Sequence, residues 1–380
     1  MSFGAWIHQI VFASAAFDFV VGALALWILT RSNRVITLPR LIAAVCATGV
    51  VFVFKLIPLV VVGLNGFGAI HLVWVDLIIV TPALSLGALL VARLSSVRVK
   101  KLALLVASLA IVVPPAVGVY AMMIEPYRVV LERPEFRVDP ARAGVEAVRI
   151  GVLADIQTTT VTDHERDAVA RLMAEAPDLI LMPGDLFQPS PRRLRAEVGE
   201  LRDLLSRLHA PAGVFYVVGD CDTAGEMRQI LDGLDIELLV NEAVEVTVRD
   251  RVLMIGGVDL FYESTPAMRF VDAFARAPGA DDIRILLTHR PDVIERIPDD
   301  GRVDLVVAGH THGGQVQVPF FGPPITLTGV PRRVAAGGLH EHAGRPIYLS
   351  RGLGWEHGQA PRLRFNCPPE ITILTLLADE

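Results

Sequence analysis

Four long apolar stretches occupy the first third of the chain, and none of them has a polar face. They run from about Ile7 to Leu29, Leu41 to Leu64, Ile70 to Leu94 and Leu102 to Ile124. As a helix, each is long enough to cross about 30 Å of hydrocarbon. A helix in a soluble bundle sets a polar stripe against its apolar one, so these runs predict four transmembrane helices, about 7–29, 41–64, 70–94 and 102–124. A cleaved signal peptide is not expected, because residues 1 to 7 carry no Lys or Arg and three further spans follow.

After residue 124 the pattern shortens and begins to alternate. Residues 125–147 read as a connector leading toward the first strand. From 148 to 380, apolar runs that suit strands ("VRIGVLAD", "PDLILMPGD", "GVFYVVGD") are separated by helical stretches near 165–176 and 192–208. "IELLV", "VEVTV" and "VLMIGGVD" lie close together and suggest an antiparallel patch, and "IRILLTHRPD", "VDLVVAGHTHGGQ", "RPIYLSRGLG" and "EITILTLL" read as later strands. Continuous apolar runs between helices indicate an α/β domain with buried strands.

Charge adds direction to this picture. The loop after the first span holds Arg31, Arg34 and Arg40, and that after the third holds Arg93, Arg98, Lys100 and Lys101, whereas "NGFGA" between the second and third holds no cation. The positive-inside rule puts the basic loops in the cytoplasm and everything after the fourth span outside it. Arg128, Arg133 and Arg137, soon after that span, pull the other way. A net charge of −6 speaks against nucleic acid as a partner. Lys occurs only at 55, 100 and 101, an Arg-for-Lys bias that suggests a GC-rich bacterial genome and hence a multi-pass protein of a bacterial cell membrane. Asp18, Lys55 and Asp76 fall inside spans, where ionisable groups form an interhelical ion pair or line an ion path. Cys46, Cys221 and Cys367 are widely spaced and form no disulfide framework.

The predicted strand ends collect the reactive side chains. Asp155, Asp185, Asp220, His289, His310 and His312 all stand there, where α/β folds bind ligands. In "AGHTHGGQ" an extended backbone would turn His310 and His312 to the same side. Imidazole with carboxylate is the ligand set of Zn, Mn and Fe. Two such metals about 4 Å apart clamp the attacking and leaving oxygens of a phosphoryl displacement.

In order, these residues resemble the signature of the calcineurin-like metallophosphoesterases, Asp-x-His, Gly-Asp, Gly-Asn-His-Asp/Glu, His, Gly-His-x-His. The chain looks like the family's membrane-associated bacterial branch, which includes UDP-2,3-diacylglucosamine hydrolases. The resemblance covers about residues 148–378 and includes "GHTHGGQ", "YLSRGLG" and "PPEITILTL". It implies an α/β fold, a β-sandwich flanked by helices, here preceded by a four-helix transmembrane region. It also implies a binuclear centre of two divalent metal ions (Mn, Fe or Zn), with Asp155, Gln157 and His312 on the first, Asp185 bridging, and Asp220, His289 and His310 on the second. Two places depart from the signature. Gln157 stands for a His ligand, which should weaken the first metal or favour a harder ion. In "GDCD", Asp220 replaces Asn and Cys221 replaces His. Cys221 and Asp222 are the candidate catalytic residues, Cys221 as acid, thiolate or filler and Asp222 as a group that orients its neighbours. The substrate-binding residues are unknown.

Other residues near these motifs have two readings each. Asp163, His164 and Glu165 read either as a helix start capped by Asp163 or as a source of a replacement ligand, His164. Arg351 reads as a phosphate contact or as a solvated cation. The function expected is a membrane-anchored phosphoesterase that hydrolyses a phosphodiester or pyrophosphate, on a phosphorylated small molecule or a lipid, by attack of metal-bound hydroxide. The alternative is a binding or sensory protein on a catalytically impaired domain, with a protein partner.

Overall fold

The structure is a computed structural model that describes residues 3–31, 34–61, 63–95, 97–188, 191–279 and 281–379. They fall into two compact units. One comprises Met1–Met123 with the short segment Glu356–Arg362, the other Ile124–Trp355 with Leu363–Glu380.

The first unit is helical: α1 (Phe3–Arg31), α2 (Leu38–Val61), α3 (Gly66–Val75), α4 (Thr81–Leu94) and α5 (Lys101–Val119). A π-helical turn, Asp76–Val80, joins α3 to α4 as one span. Ile7–Arg31, Leu38–Val61, Gly66–Leu94 and Lys101–Tyr127 are long and apolar enough to cross a membrane. Their apolar side chains point outward to a degree that water would penalise and lipid favours, as at Phe12, Val61 and Leu94. Two-residue strands, β1 (Val35–Ile36) and β2 (Arg98–Val99), pair in parallel and zip the two basic loops together. The buried Asp18 forms an ion pair with Lys55, whose ammonium also donates to Ser14 Oγ at 2.6 Å. The segment Glu356–Arg362 is stitched to the turn between α2 and α3. Gln359 accepts from the Asn65 N–H at 2.9 Å and donates to the Gly63 carbonyl at 2.8 Å.

The second unit carries β3 (Val130–Glu132), β4 (Glu135–Val138), β5 (Val148–Val152), β6 (Leu179–Met182), β7 (Val214–Tyr216), β8 (Glu237–Leu238) and β9 (Glu242–Val248). It continues with β10 (Arg251–Gly257), β11 (Ile283–Leu287), β12 (Leu305–Ala308), β13 (Gly338–His342), β14 (Arg345–Leu349) and β15 (Glu370–Ala378). One sheet has the order β3-β15-β5-β6-β7-β8, with β4 also on β15, and the other β13-β14-β12-β11-β10-β9. Alternation along each strand builds the layers. Ile150, Val152, Leu179 and Leu181 of one sheet share a core with Ile283, Ile285, Leu305 and Val307 of the other. The intervening Ile180 and Met182 face helices Asp163–Ala174 and Pro191–Leu205. Leu286 and Val306 face helix Thr265–Ala275. This is a β-sandwich flanked by helices.

Two stretches differ from the sequence expectation. The stretch read as a connector supplies β3 and β4, both paired in parallel with the distant β15. "IELLV" contributes β8 to the first sheet, so the antiparallel patch reduces to the pair β9 and β10.

Candidate metal centre

The parallel strands of both sheets deliver the reactive side chains from their C-terminal ends. Asp155 follows β5, Asp185 follows β6, Asp220 and Cys221 follow β7, His289 follows β11, and His310 and His312 follow β12. The backbone there is not extended. Asp155, Gln157, Asp185, His310 and His312 have φ of 46°, 37°, 56°, 75° and 49°. A left-handed residue with a Cβ costs of the order of 1–3 kcal/mol and persists only where its surroundings impose it. Two glycines let the chain close in. A Cβ on Gly219 would stand 2.1 Å from Asp185 Oδ1, and one on Gly309 2.5 Å from Asp155 Oδ2.

The extended backbone expected at His310 and His312 is therefore not the one observed. β12 ends at Ala308, and left-handed turns after it bring the two imidazoles to different carboxylates of one cluster. His310 Nδ1 lies 2.8 Å from Asp220 Oδ2, and His312 Nε2 lies 3.9 Å from Asp155 Oδ1. Among the described residues, two groups of donors lie within 4.8 Å of one another: Asp220, His289 and His310, and Asp155, Asp185 and His289. Carbonyls set the ring tautomers. His289 Nδ1 is 2.8 Å from the Pro183 oxygen and His310 Nε2 is 3.2 Å from the Leu327 oxygen. Each must donate there, which turns the other ring nitrogen toward the cluster.

The charge balance tests whether cations belong here. Burial pushes the Asp155 carboxyl up to about 7, against the pull of His289. Burial and the Asp185 charge likewise raise Asp222 to about 6. At His289 burial disfavours the imidazolium, but Asp185, Asp220 and Asp155 outweigh it and raise the group to about 10. At Asp220 burial is overcome by the neighbouring His289, His310 and Arg290, which hold the carboxyl well below its usual range. Asp155 Oδ2 and His289 Nε2 are buried without a hydrogen-bond partner, although Nε2 is only 3.3 Å from Asp220 Oδ2. Unpartnered ligand atoms among crowded carboxylates are costly unless a cation joins them, so the residues present fit divalent metal ions.

The two departures from the signature touch each other. Gln157 Nε2 donates to Gln188 Oε1 at 2.8 Å and lies 3.4 Å from the half-buried Cys221 Sγ. The Cys221 N–H donates to Asp185 Oδ1 at 2.8 Å. Asp222 turns its carboxylate to the N–H groups of Asp185 (2.7 Å), Gly219 (3.1 Å) and Leu186 (3.2 Å) and to the Tyr216 hydroxyl.

Two neighbours behave otherwise than expected. The helix start at Asp163 is capped by Thr162, in a capping box with Glu165, not by Asp163. His164 packs edge-on to Tyr127, with ring centroids 5.6 Å apart, and belongs to neither donor group. Arg351 is not solvated, because Glu132 and Glu370 hold it in ion pairs. Three residues were not foreseen. Arg290 pairs with Asp220, and its place beside His289 at a strand end was the available signal. Gln188 and the fully buried Arg364, which donates to the carbonyls of Arg351, Gly352, Gly354 and Cys367, had none.

The calcineurin-like phosphoesterase profile matches residues 148–314. Phosphodiesterase YaeI of Escherichia coli (strain K12) is 34% identical over 223 residues, 56% of this chain and 74% of the relative. The uncharacterized metallophosphoesterase YkuE of Bacillus subtilis (strain 168) is 32% identical over 238 residues, 59% of this chain and 73% of the relative. UDP-2,3-diacylglucosamine pyrophosphatase LpxG of Chlamydia muridarum (strain MoPn / Nigg) is 27% identical over 328 residues, 70% of this chain and 94% of the relative. With carboxylates and imidazoles gathered at the strand ends as that family requires, this chain belongs to the calcineurin-like phosphoesterases, a family of metal-dependent phosphoric ester hydrolases.

Proposed function

We propose that the chain is a membrane-anchored phosphoesterase that cleaves a phosphodiester or pyrophosphate bond in a lipid-linked substrate. The observation that carries this is the pair of donor groups sharing His289, in which Asp155 Oδ2 and His289 Nε2 are buried without a hydrogen-bond partner. Asp155, Gln157 and His312 would hold one divalent cation, Asp220, His289 and His310 the other, with Asp185 between them. When bound, such cations supply Lewis acidity to phosphoryl oxygens and make a water strongly nucleophilic at neutral pH. The chain's own contribution is orientation. The Pro183 and Leu327 carbonyls hold the two imidazoles, and Asp222 gathers the amides that keep the Asp185 loop left-handed. Asp222 is then a positioning residue. Arg290, half-exposed beside Asp220, is placed to meet a phosphate oxygen.

The lipid-linked class draws support from the four apolar helices and from the similarity to LpxG, a UDP-2,3-diacylglucosamine pyrophosphatase. The basic loops around Arg34 and Lys100 favour an extracytoplasmic catalytic unit; reporter fusions at the C-terminus, active on one side of the membrane only, decide that. The function is tested on the full chain in detergent, equilibrated with Mn and freed of excess metal. About two metals per chain, with hydrolysis of bis-p-nitrophenyl phosphate abolished in His310→Ala, is the expected result. A folded chain that retains no metal overturns it and favours a binding role.

A further inference from the structure

The sharpest concentration of exposed apolar surface in the catalytic unit lies on one loop. Val318, Phe320, Phe321, Ile325 and Leu327 are 42%, 112%, 55%, 43% and 63% exposed within ten residues. Isolated exposed apolar residues are ordinary, but a contiguous patch marks an interaction surface. The loop is built to present them. Val318 and Gly322 bridge across a tight turn, with the Phe321 N–H bonded to the Val318 carbonyl at 3.0 Å. Phe320 sits at its tip with φ 66°, and Leu327 has φ 53°. A bulky residue in the left-handed region is strained, so Phe320 combines strain with full exposure, and neither favours the isolated fold. Both ends of the loop are fixed. Gln317 donates to the Ala336 carbonyl at 2.8 Å, and Asp292 accepts from Thr328 and from the Gly329 N–H.

Two further contacts say what this surface meets. The Leu327 carbonyl is the group that orients His310, so the apolar loop is continuous with the candidate metal centre. At its root, Gln317 accepts from Asn366 Nδ2 at 3.3 Å, and Glu125 accepts from the Asn366 and Cys367 N–H groups. Glu125 lies at the end of the last apolar stretch, Lys101–Tyr127, and among the first residues of the second unit, so the root of the loop is bonded to the segment that follows the fourth span along the chain. Arg332 stacks on Phe321 at 4.1 Å and is exposed with Arg333, a pairing of cation and aromatic suited to the anionic headgroup and acyl boundary.

We propose that Val318–Leu327 is a lipid-contact loop whose apolar tip, led by Phe320 and Phe321, enters the surface of the membrane that anchors the chain. Its consequence for catalysis, that lipid-linked substrates reach the centre along this loop, rests on the phosphoesterase reading; the lipid contact itself does not.

The test keeps the two apart. The full chain, with benzoylphenylalanine at position 320, is reconstituted in vesicles of phosphatidylethanolamine and phosphatidylglycerol and irradiated. A phospholipid adduct on the peptide containing residue 320, absent when the photoprobe replaces Val145, which is also exposed, is the expected outcome. No adduct at 320, or equal adducts at both positions, overturns the proposal. In parallel, Phe320→Ser/Phe321→Ser should lower kcat/KM on a vesicle-borne phosphodiester by about tenfold while sparing bis-p-nitrophenyl phosphate, because only the former uses the remote contact. Equal loss on both substrates, or loss on neither, overturns the catalytic consequence. If the unaltered chain hydrolyses neither substrate, the phosphoesterase reading falls, and the adduct still decides the loop.

Discussion

Asp18 in the helical unit and Asp155 in the catalytic unit are both 0% exposed, and one oxygen of each lacks a hydrogen-bond partner. Their surroundings differ in kind. Asp18 has the Lys55 ammonium on its other oxygen and Ser14 beside that, so its charge is cancelled within the unit. Asp155 is grouped with Asp185 and His289, beside Asp222 and Asp220. A buried charge that the fold neutralises for itself belongs to the architecture. One left over is an invitation to a ligand, and this contrast separates the structural reading of the Asp18–Lys55 pair from the functional reading of the strand-end cluster.

The contrast breaks most readily at Asp185. Asp185→Ala should lower hydrolysis more than ~100-fold, since even the outer partners of metal ligands are worth 10–100-fold; kinetic assay of a variant with native circular dichroism checks it. The membrane pair gives the opposite pattern. Lys55→Met strands Asp18 and should cost about 3–5 kcal/mol of stability, largely recovered in Lys55→Met/Asp18→Leu, with turnover per folded molecule unchanged in either. Denaturation midpoints in detergent, read beside specific activity, would expose a functional ion path if activity fell instead.

Smaller effects sharpen the comparison inside the catalytic unit. Asp222→Asn turns one acceptor into a donor facing the Asp185 amide and should cost 10–100-fold in kcat, with metal content reduced less than in Asp185→Ala. In metal-free protein, Asp155→Asn removes uncompensated charge and should raise the melting temperature by about 2–4 °C, equivalent to ~1 kcal/mol at this size. In metal-loaded protein it should lower it. Calorimetry with and without chelator distinguishes these, and a variant less stable in both states would mean that Asp155 is already compensated.

Much of this was legible in the chain. The four apolar helices announce themselves by length and apolarity alone, and Asp155, Asp185, Asp220 and His289 stand at strand ends because buried parallel strands read as plain apolar runs. The β3 and β4 pairings were not legible, because their partner β15 lies more than two hundred residues away and Pro134 interrupts the local pattern. Nor was the left-handed backbone at His310 and His312, where period-two reasoning fails as soon as the strand stops. Arg351 was misread for the same long-range reason: Glu132 and Glu370 come from distant segments. The Thr162 cap was readable, since "TDHE" is a capping-box pattern.

Gln359 sets an order of events in time. It completes the turn between α2 and α3 from 294 residues downstream of Asn65. At about 5–20 residues per second of synthesis, the Asn65 amide and the Gly63 carbonyl wait roughly 15 to 60 s for their partner. The helical unit is therefore made early and finished late, and its last hydrogen bonds form only after most of the catalytic sandwich has been translated. A ribosome stalled before residue 356 would leave a helical unit that is made but not closed, and probing such stalled chains for protection at Asn65 would date the closure.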